Sequence, residues 1–90
     1  MAVYDEKEQN LIIKYTQKQA RKNLASQYVQ CRKAKKLSQQ DVADIIGVKR
    51  PNITRFENGS YNPTLDMLVK IAEALDMELQ IQLVEKKQES

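Results

Sequence analysis

Apolar residues recur at helical intervals through most of this 90-residue chain and, near its end, at an interval of two. Leu11, Ile12 and Tyr15 can share one side of a helix predicted over residues 6–22, with Gln and Lys filling most other positions. Leu24, Tyr28 and Cys31, spaced by four and three, predict helix from about Leu24 to Lys36, with lysines on the other faces. After Leu37, Ser38 is placed to cap a further helix, and Asp41 puts negative charge near its positive N-terminal end. That helix runs through Val42, Ala43, Ile45 and Ile46 and stops at Gly47, whose missing Cβ permits a sharp turn.

Val48-Lys49-Arg50-Pro51 opens the next helix, expected to begin at Pro51, because proline is tolerated in a first turn whose N–H groups have no intrahelical partner. Ile53 and Phe56 point inward there, Asn58-Gly59 ends it, and Ser60-Tyr61-Asn62-Pro63 has the chemistry of a loop. Thr64 caps a last helix whose Leu65, Leu68, Ile71, Ala72 and Leu75 form an apolar stripe. The period then changes: Met77, Leu79, Ile81 and Leu83 alternate with Glu78, Gln80 and Gln82, the pattern of a half-buried strand over Met77–Val84. A lone strand leaves its backbone unpaired, so the expected partner is the same strand of a second copy, and Met77, Leu79, Ile81 and Leu83 become the dimerisation residues. Two alternatives stay open: the stretch extends the preceding helix, or it pairs with Leu11-Ile12-Ile13.

Composition narrows the class. With 41% hydrophobic and 30% charged residues, the chain has a globular balance and a length that suits one domain. Its divisions are expected as an N-terminal helical extension over residues 1–22, a central domain over 23–76, the strand over 77–84 and a frayed tail over 85–90. The net charge of +3 identifies no partner, but its distribution says more. No Asp or Glu lies between Gln9 and Gln40, where Lys14, Lys18, Arg21, Lys22, Arg32, Lys33, Lys35 and Lys36 all fall. Such a run suits a surface lying on phosphates, and it equally suits a solvated helix face. One cysteine and no histidine provide neither an internal disulfide nor a usual zinc site, so no metal or cofactor is expected and a reducing cytoplasm fits. Cys31 is most simply a small core residue, with redox sensing as the rarer reading. The first ten residues carry Asp5, Glu6 and Glu8 and lack the apolar stretch of a signal peptide or membrane anchor.

The twenty residues from Gln39 to Asn58 have the mechanics of a helix-turn-helix. Ala43 is small where two helices would approach, Gly47 can bend, and Val42, Ile46, Val48, Ile53 and Phe56 form an apolar wedge beneath both. Here the sequence resembles the Xre or Cro/C1-type helix-turn-helix regulators, which include the repressor and Cro proteins of lambdoid phages. The resemblance covers about Tyr28 to Leu75. It rests on Arg32-Lys33-Ala34-Lys35-Lys36-Leu37-Ser38-Gln39, Ile53-Thr54-Arg55-Phe56-Glu57-Asn58-Gly59, Pro63-Thr64-Leu65 and Ala72-Glu73-Ala74-Leu75.

The resemblance implies a mainly all-α, lambda-repressor-like bundle of four to five helices, to which the pattern adds the C-terminal strand. It makes the helix from Pro51 to Asn58 the one that enters the major groove. Arg50, Asn52 and Arg55 then read bases, since Arg matches guanine O6 and N7 and Asn matches adenine N6 and N7, and Lys49 reaches a base or a phosphate. The competing reading of Arg50, Asn52 and Arg55 is the plain exposed side of a short helix. Gln39 resembles a residue that bonds a phosphate from the start of the preceding helix, with Ser38 more a cap than a contact. Tyr61 and Asn62 match positions that touch the DNA backbone, or they stabilise the loop. Arg32 and Glu57 match a structural ion pair joining the first helix to the third. Pro51 departs from the small polar residue usual in the family and biases Arg50 away from helical geometry, while Lys49 replaces the usual Ser or Thr cap.

The function expected is a non-enzymatic, sequence-specific regulator of transcription, a repressor occupying a palindromic double-stranded operator as a homodimer. Catalysis is disfavoured because there is no histidine, no Gly-rich phosphate loop and no nucleophile beside a base. One alternative is the antitoxin of a toxin-antitoxin pair, of the HigA or HipB kind, with a toxin protein as second partner. Another is a protein-interaction module that does not bind DNA, against which Lys49, Arg50 and Arg55 argue.

Overall fold

A computed structural model describes residues 5–87, so the first four residues of the expected extension and residues 88–90 of the expected tail lie outside the described residues. The order is α1 (Glu6–Ala34), α2 (Gln39–Ile46), α3 (Arg50–Glu57) and α4 (Leu65–Ala74).

Local chemistry fixes the ends. The Asp5 carboxylate accepts from the Glu8 N–H and opens α1, where Glu6 and Glu8 face the positive end of the helix dipole while Arg32 and Lys33 occupy the last turn. Lys36 takes a left-handed conformation (φ 59°), and the Leu37 N–H returns to the Arg32 carbonyl at 3.1 Å, so α1 stops without a glycine. Gly47 takes the same conformation after α2 (φ 74°), and the Val48 N–H closes on the Ala43 carbonyl at 3.0 Å. Thr64 caps α4 by accepting from the Met67 N–H. Asp76 (φ 56°) ends the turn that follows, with the Met77 N–H on the Ala72 carbonyl.

The core lies where the second half of α1 meets α2, α3 and α4. Val42 and Ala43 have no exposed surface, and Ile53, Phe56, Ile71, Ala72 and Leu75 are buried beside them. Tyr28 of α1 meets Phe56 of α3 edge to face, with ring centroids 5.0 Å apart at 84°. Its hydroxyl donates to the Leu68 carbonyl at 2.8 Å, which ties α1 to α4. Burial first, and the neighbouring Cys31 second, raise the Tyr28 pKa above the ordinary tyrosine value. Leu24, Cys31, Leu37, Ile46 and Val48 pack at the margin of this cluster.

Three expectations change. The helices expected over 6–22 and 24–36 are one continuous α1 of 29 residues, because Lys22-Asn23-Leu24-Ala25 contains neither a breaker nor a turn residue that is used. Among the described residues the bundle therefore has four helices, and α1 runs through the expected boundary between residues 22 and 23. Its third helix begins at Arg50, one residue before the expected Pro51, with Lys49 as the extended residue that precedes it.

The third change concerns the strand. Among the described residues there is none, and from Glu78 to Lys87 the backbone makes no hydrogen bond to the rest of the described chain. A strand exists only through a ladder with a neighbour, and the described residues offer no strand edge to pair with. Neither alternative within one chain is present, since Leu11-Ile12-Ile13 lies inside α1 and α4 ends before Asp76. Of the expected dimerisation residues, Leu79 is half-buried against the core, while Met77, Ile81 and Leu83 are exposed.

Candidate nucleic-acid interface

The arrangement of α2, Gly47 and α3 is set from beneath and from the side. Beneath, Val42 and Ala43 of α2 share the core with Ile53 and Phe56 of α3. Because Ile53 and Phe56 face inward, helical periodicity turns Arg50, Pro51, Thr54 and Arg55 outward, where they line a shallow open concavity. Lys49, Arg50 and Arg55 are exposed and Asn52 is half-buried. Three cationic side chains thus rise from one short helix and its preceding residue. Proline in the first turn of α3 costs no intrahelical bond and leaves Arg50 helical.

From the side, a polar network ties α3 to α1 and α2. Arg32 donates through Nε to Glu57 Oε2 at 2.7 Å, through Nη2 to Glu57 Oε1 at 3.0 Å, and through Nη1 to the Leu37 carbonyl at 2.8 Å. Only 13% and 8% of the two side chains remain exposed, so this two-point ion pair is largely shielded from water. Glu57 is the acidic residue within α3, and its charge is committed inward to Arg32. The outer face of the helix is consequently left cationic.

Gln39, the expected phosphate contact, joins the same network. Its Nε2 donates to Glu57 Oε1 at 3.0 Å, and its Oε1 accepts from the Thr54 hydroxyl at 2.7 Å. Both ends of the amide are engaged within the protein. Ser38 forms a reciprocal cap with Asp41: its hydroxyl accepts from the Asp41 N–H at 2.9 Å, and the Asp41 carboxylate accepts from the Ser38 N–H at 2.8 Å. That N–H first, and the hydroxyl second, hold the Asp41 carboxyl below its ordinary range.

Asn52 and Arg55 are coupled, for Arg55 Nη2 donates to Asn52 Oδ1 across one helical turn. Tyr61 packs half-buried at the core margin, and Asn62 is exposed in the loop after α3. Gly59, at φ 67°, brings that loop against α1, where an added Cβ would sit 3.4 Å from Lys22 Cα. Thr54 was not singled out by sequence reasoning. Its signal was available, since it lies four residues after Arg50 on the same outward face. Among the described residues no group of three or more Asp, Glu, Cys or His side chains gathers where a metal ion could be held. Nor is any described helix long and apolar enough to cross a membrane.

A family model described as Helix-turn-helix matches residues 30–82, more than half of the chain. A relative from Bacillus subtilis (strain 168), an uncharacterized HTH-type transcriptional regulator called YqaE, is 47% identical over 49 residues, which are 54% of this chain. The match spans only 42% of that relative's own length. Among solved structures, a toxin-antitoxin module from Streptococcus pneumoniae is similar at a TM-score of 0.57 and 26% identity, over 91% of this chain and 84% of the other.

Proposed function

The chain belongs to the helix-turn-helix family, and from that premise we propose that it is a sequence-specific double-stranded DNA-binding regulator of transcription, acting as a repressor on a palindromic operator as a homodimer in the cytoplasm. The observation that carries this reading is the outward cationic face of α3, with Lys49, Arg50 and Arg55 exposed while Glu57 is turned inward. Helices of this kind enter the major groove, and two of them about 34 Å apart reach successive turns of the duplex and exclude polymerase. Residues 23–76 are the DNA-reading unit in this proposal, and Met77, Leu79, Ile81 and Leu83 form a ladder with their counterparts once a second copy supplies the missing edge.

The roles of the readers divide. Arg50 and Arg55 contact guanine edges, and Lys49 reaches a base or a phosphate. Asn52 aims Arg55 or reads adenine itself. Gln39 presents its free N–H at the start of α2 to a phosphate, since its side chain is already engaged, and Ser38, whose hydroxyl and N–H are both spent on the cap with Asp41, meets the phosphate only from the edge of that contact. Tyr61 and Asn62 touch the backbone from the loop. Selection of bound sequences from random duplex DNA, repeated with Arg50→Ala and Arg55→Ala, tests the assignment. Each variant should lose preference at one base pair per half-site, and unchanged preferences in both would refute it.

A second reading is favoured by one observation, the likeness to the toxin-antitoxin module over 91% of the chain. In it the protein represses its own operon and also neutralises a toxin protein. Co-expression with the product of an adjacent short reading frame distinguishes the two: rescue of growth supports the antitoxin, and an inert neighbour supports the plain repressor.

A further inference from the structure

The first half of α1 is a bare helix. Residues 6–20 are exposed at every position, although they include Leu11 at 61% and Tyr15 at 66% exposure together with Ile12 and Ile13. Fifteen residues at 1.5 Å each make an arm of about 22 Å, and the described chain is 48 Å long against 24 and 20 Å in its other dimensions. At 100° per residue, the mean heading of Leu11, Ile12 and Tyr15 lies about a third of a turn from that of Ala25 and Tyr28, the residues α1 buries in its own bundle, with Leu11 the nearest of the three to Ala25, about 40° away. The arm is a continuation of the same uninterrupted helix, so it cannot fold back onto its own bundle to cover them. A helix of this length without packing is marginal in water, so an apolar stripe along it calls for an outside partner.

The charges along the arm say which partner. Asp5, Glu6 and Glu8 outweigh Lys7 at the outer end, Lys14, Lys18, Arg21 and Lys22 stand toward the bundle, and no acid interrupts the basic run from Gln9 to Gln40. Such a segment is complementary to itself when reversed. We propose that the arm pairs antiparallel with the same arm of a second copy, about a two-fold axis near Ile13 and Lys14. In this register Leu11 and Ile12 of one copy meet Tyr15 of the other, and Glu8 of each faces Lys18 of its mate. A parallel pair would set acid on acid and lysine on lysine, which is unfavourable. The contact deepens the homodimeric reading above, is separate from Met77–Val84, and stands whether or not the protein binds DNA.

Sedimentation equilibrium of the full chain at low ionic strength, without DNA, tests it. Leu11→Glu with Tyr15→Glu should abolish an association step that the wild type shows; both sites are exposed, so the bundle stays folded. Glu8→Lys alone should weaken that step about tenfold, because the symmetric pair loses two attractions and gains two repulsions of surface strength. Adding Lys18→Glu should restore it to within about threefold. Glu8 and Lys18 lie about 15 Å apart along one helix, so this rescue cannot arise within a chain, and a parallel pair would not give it. A wild-type mass matched by the Leu11→Glu, Tyr15→Glu variant at every concentration, or no rescue by the charge swap, overturns the proposal. Failure of the regulatory reading would show differently, as absence of duplex binding by the wild type.

Discussion

The outer half of α1 and the α2–α3 unit are both amphipathic helix, yet one is naked and the other is fixed from two directions. Residues 6–20 place Leu11 and Tyr15 in water, whereas Val42, Ala43, Ile53 and Phe56 are buried and Arg32, Gln39, Thr54 and Glu57 brace the unit's flank. Helical periodicity alone does not decide the difference. What decides it is whether neighbouring elements present an apolar surface to the same face, and short turns at Gly47 and Gly59 bring α2, α3 and the second half of α1 together while none of the other described elements covers the arm. The region read as the DNA surface is thus held rigidly, as groove recognition requires, and the region with a free apolar stripe is held only at one end.

The contrast is broken most strongly by Phe56→Ala. It removes the ring that meets Tyr28 and shares the core with Val42, and should cost about 4 kcal/mol in denaturant unfolding. A loss below 1 kcal/mol would mean that the core is not centred there. Next comes Glu57→Ala, which leaves the Arg32 guanidinium shielded and without its carboxylate. The expected loss is about 3 kcal/mol, at the low end for buried pairs because both side chains retain some exposure. It should also reduce duplex affinity, since the same carboxylate holds Gln39 and, through it, Thr54.

On the outward face the expected effects are on recognition rather than folding. Arg55→Ala should cost roughly 1–3 kcal/mol of discrimination at one base pair. If Asn52 acts by aiming Arg55, Asn52→Ala weakens the same base pair, and the two substitutions together cost little more than Arg55→Ala alone. Binding measured across a set of operator variants checks this. Additive losses at two different base pairs would make Asn52 an independent reader.

How much of this was legible in the sequence follows the same division. The caps at Ser38 and Thr64, the turn at Gly47 and the inward Ile53 and Phe56 are local signals, and the structure has them where the pattern puts them. The single α1 was not legible as such, because two apolar stripes with different headings read as two helices when nothing marks the junction. The engagement of Gln39 was hidden for another reason. An amide at the start of a helix has the same local chemistry whether it meets a phosphate or, fifteen residues later in the chain, Thr54. Over Met77–Val84 the alternation is plain, but alternation supplies a face and not a ladder, and no strand edge stands beside it among the described residues.

Smaller effects sharpen the contrast at its margins. Ser38→Ala removes one half of the reciprocal cap on α2 and should cost about 1 kcal/mol. The other half depends on pH. Because the folded state holds the Asp41 carboxyl below its ordinary range, the cap's contribution is fully present above the unfolded pKa of about 3.9 and is lost as pH falls through the lower folded value. Tyr28 works in the opposite sense. Its raised pKa means that the unfolded chain ionises first, so stability is intact below about pH 10 and declines as pH rises beyond it. Unfolding midpoints across pH should lose their acid-side slope in part in Asp41→Asn and their alkaline slope in part in Tyr28→Phe.

The smallest effect expected belongs to the arm. At concentrations where the chain is monomeric, Leu11→Ala should change stability by no more than about 0.5 kcal/mol, since a side chain with 61% of its surface in water has little burial to lose. Alanine also keeps the helix, being its best former. A loss of 2 kcal/mol or more in the monomer would place Leu11 in a packed environment, and the arm would then be part of the bundle after all. The same substitution studied at rising concentration gives the converse reading. An apolar face that only a second molecule covers makes the variant's deficit appear with association and vanish on dilution, because stabilisation by a partner scales with the partner's free concentration.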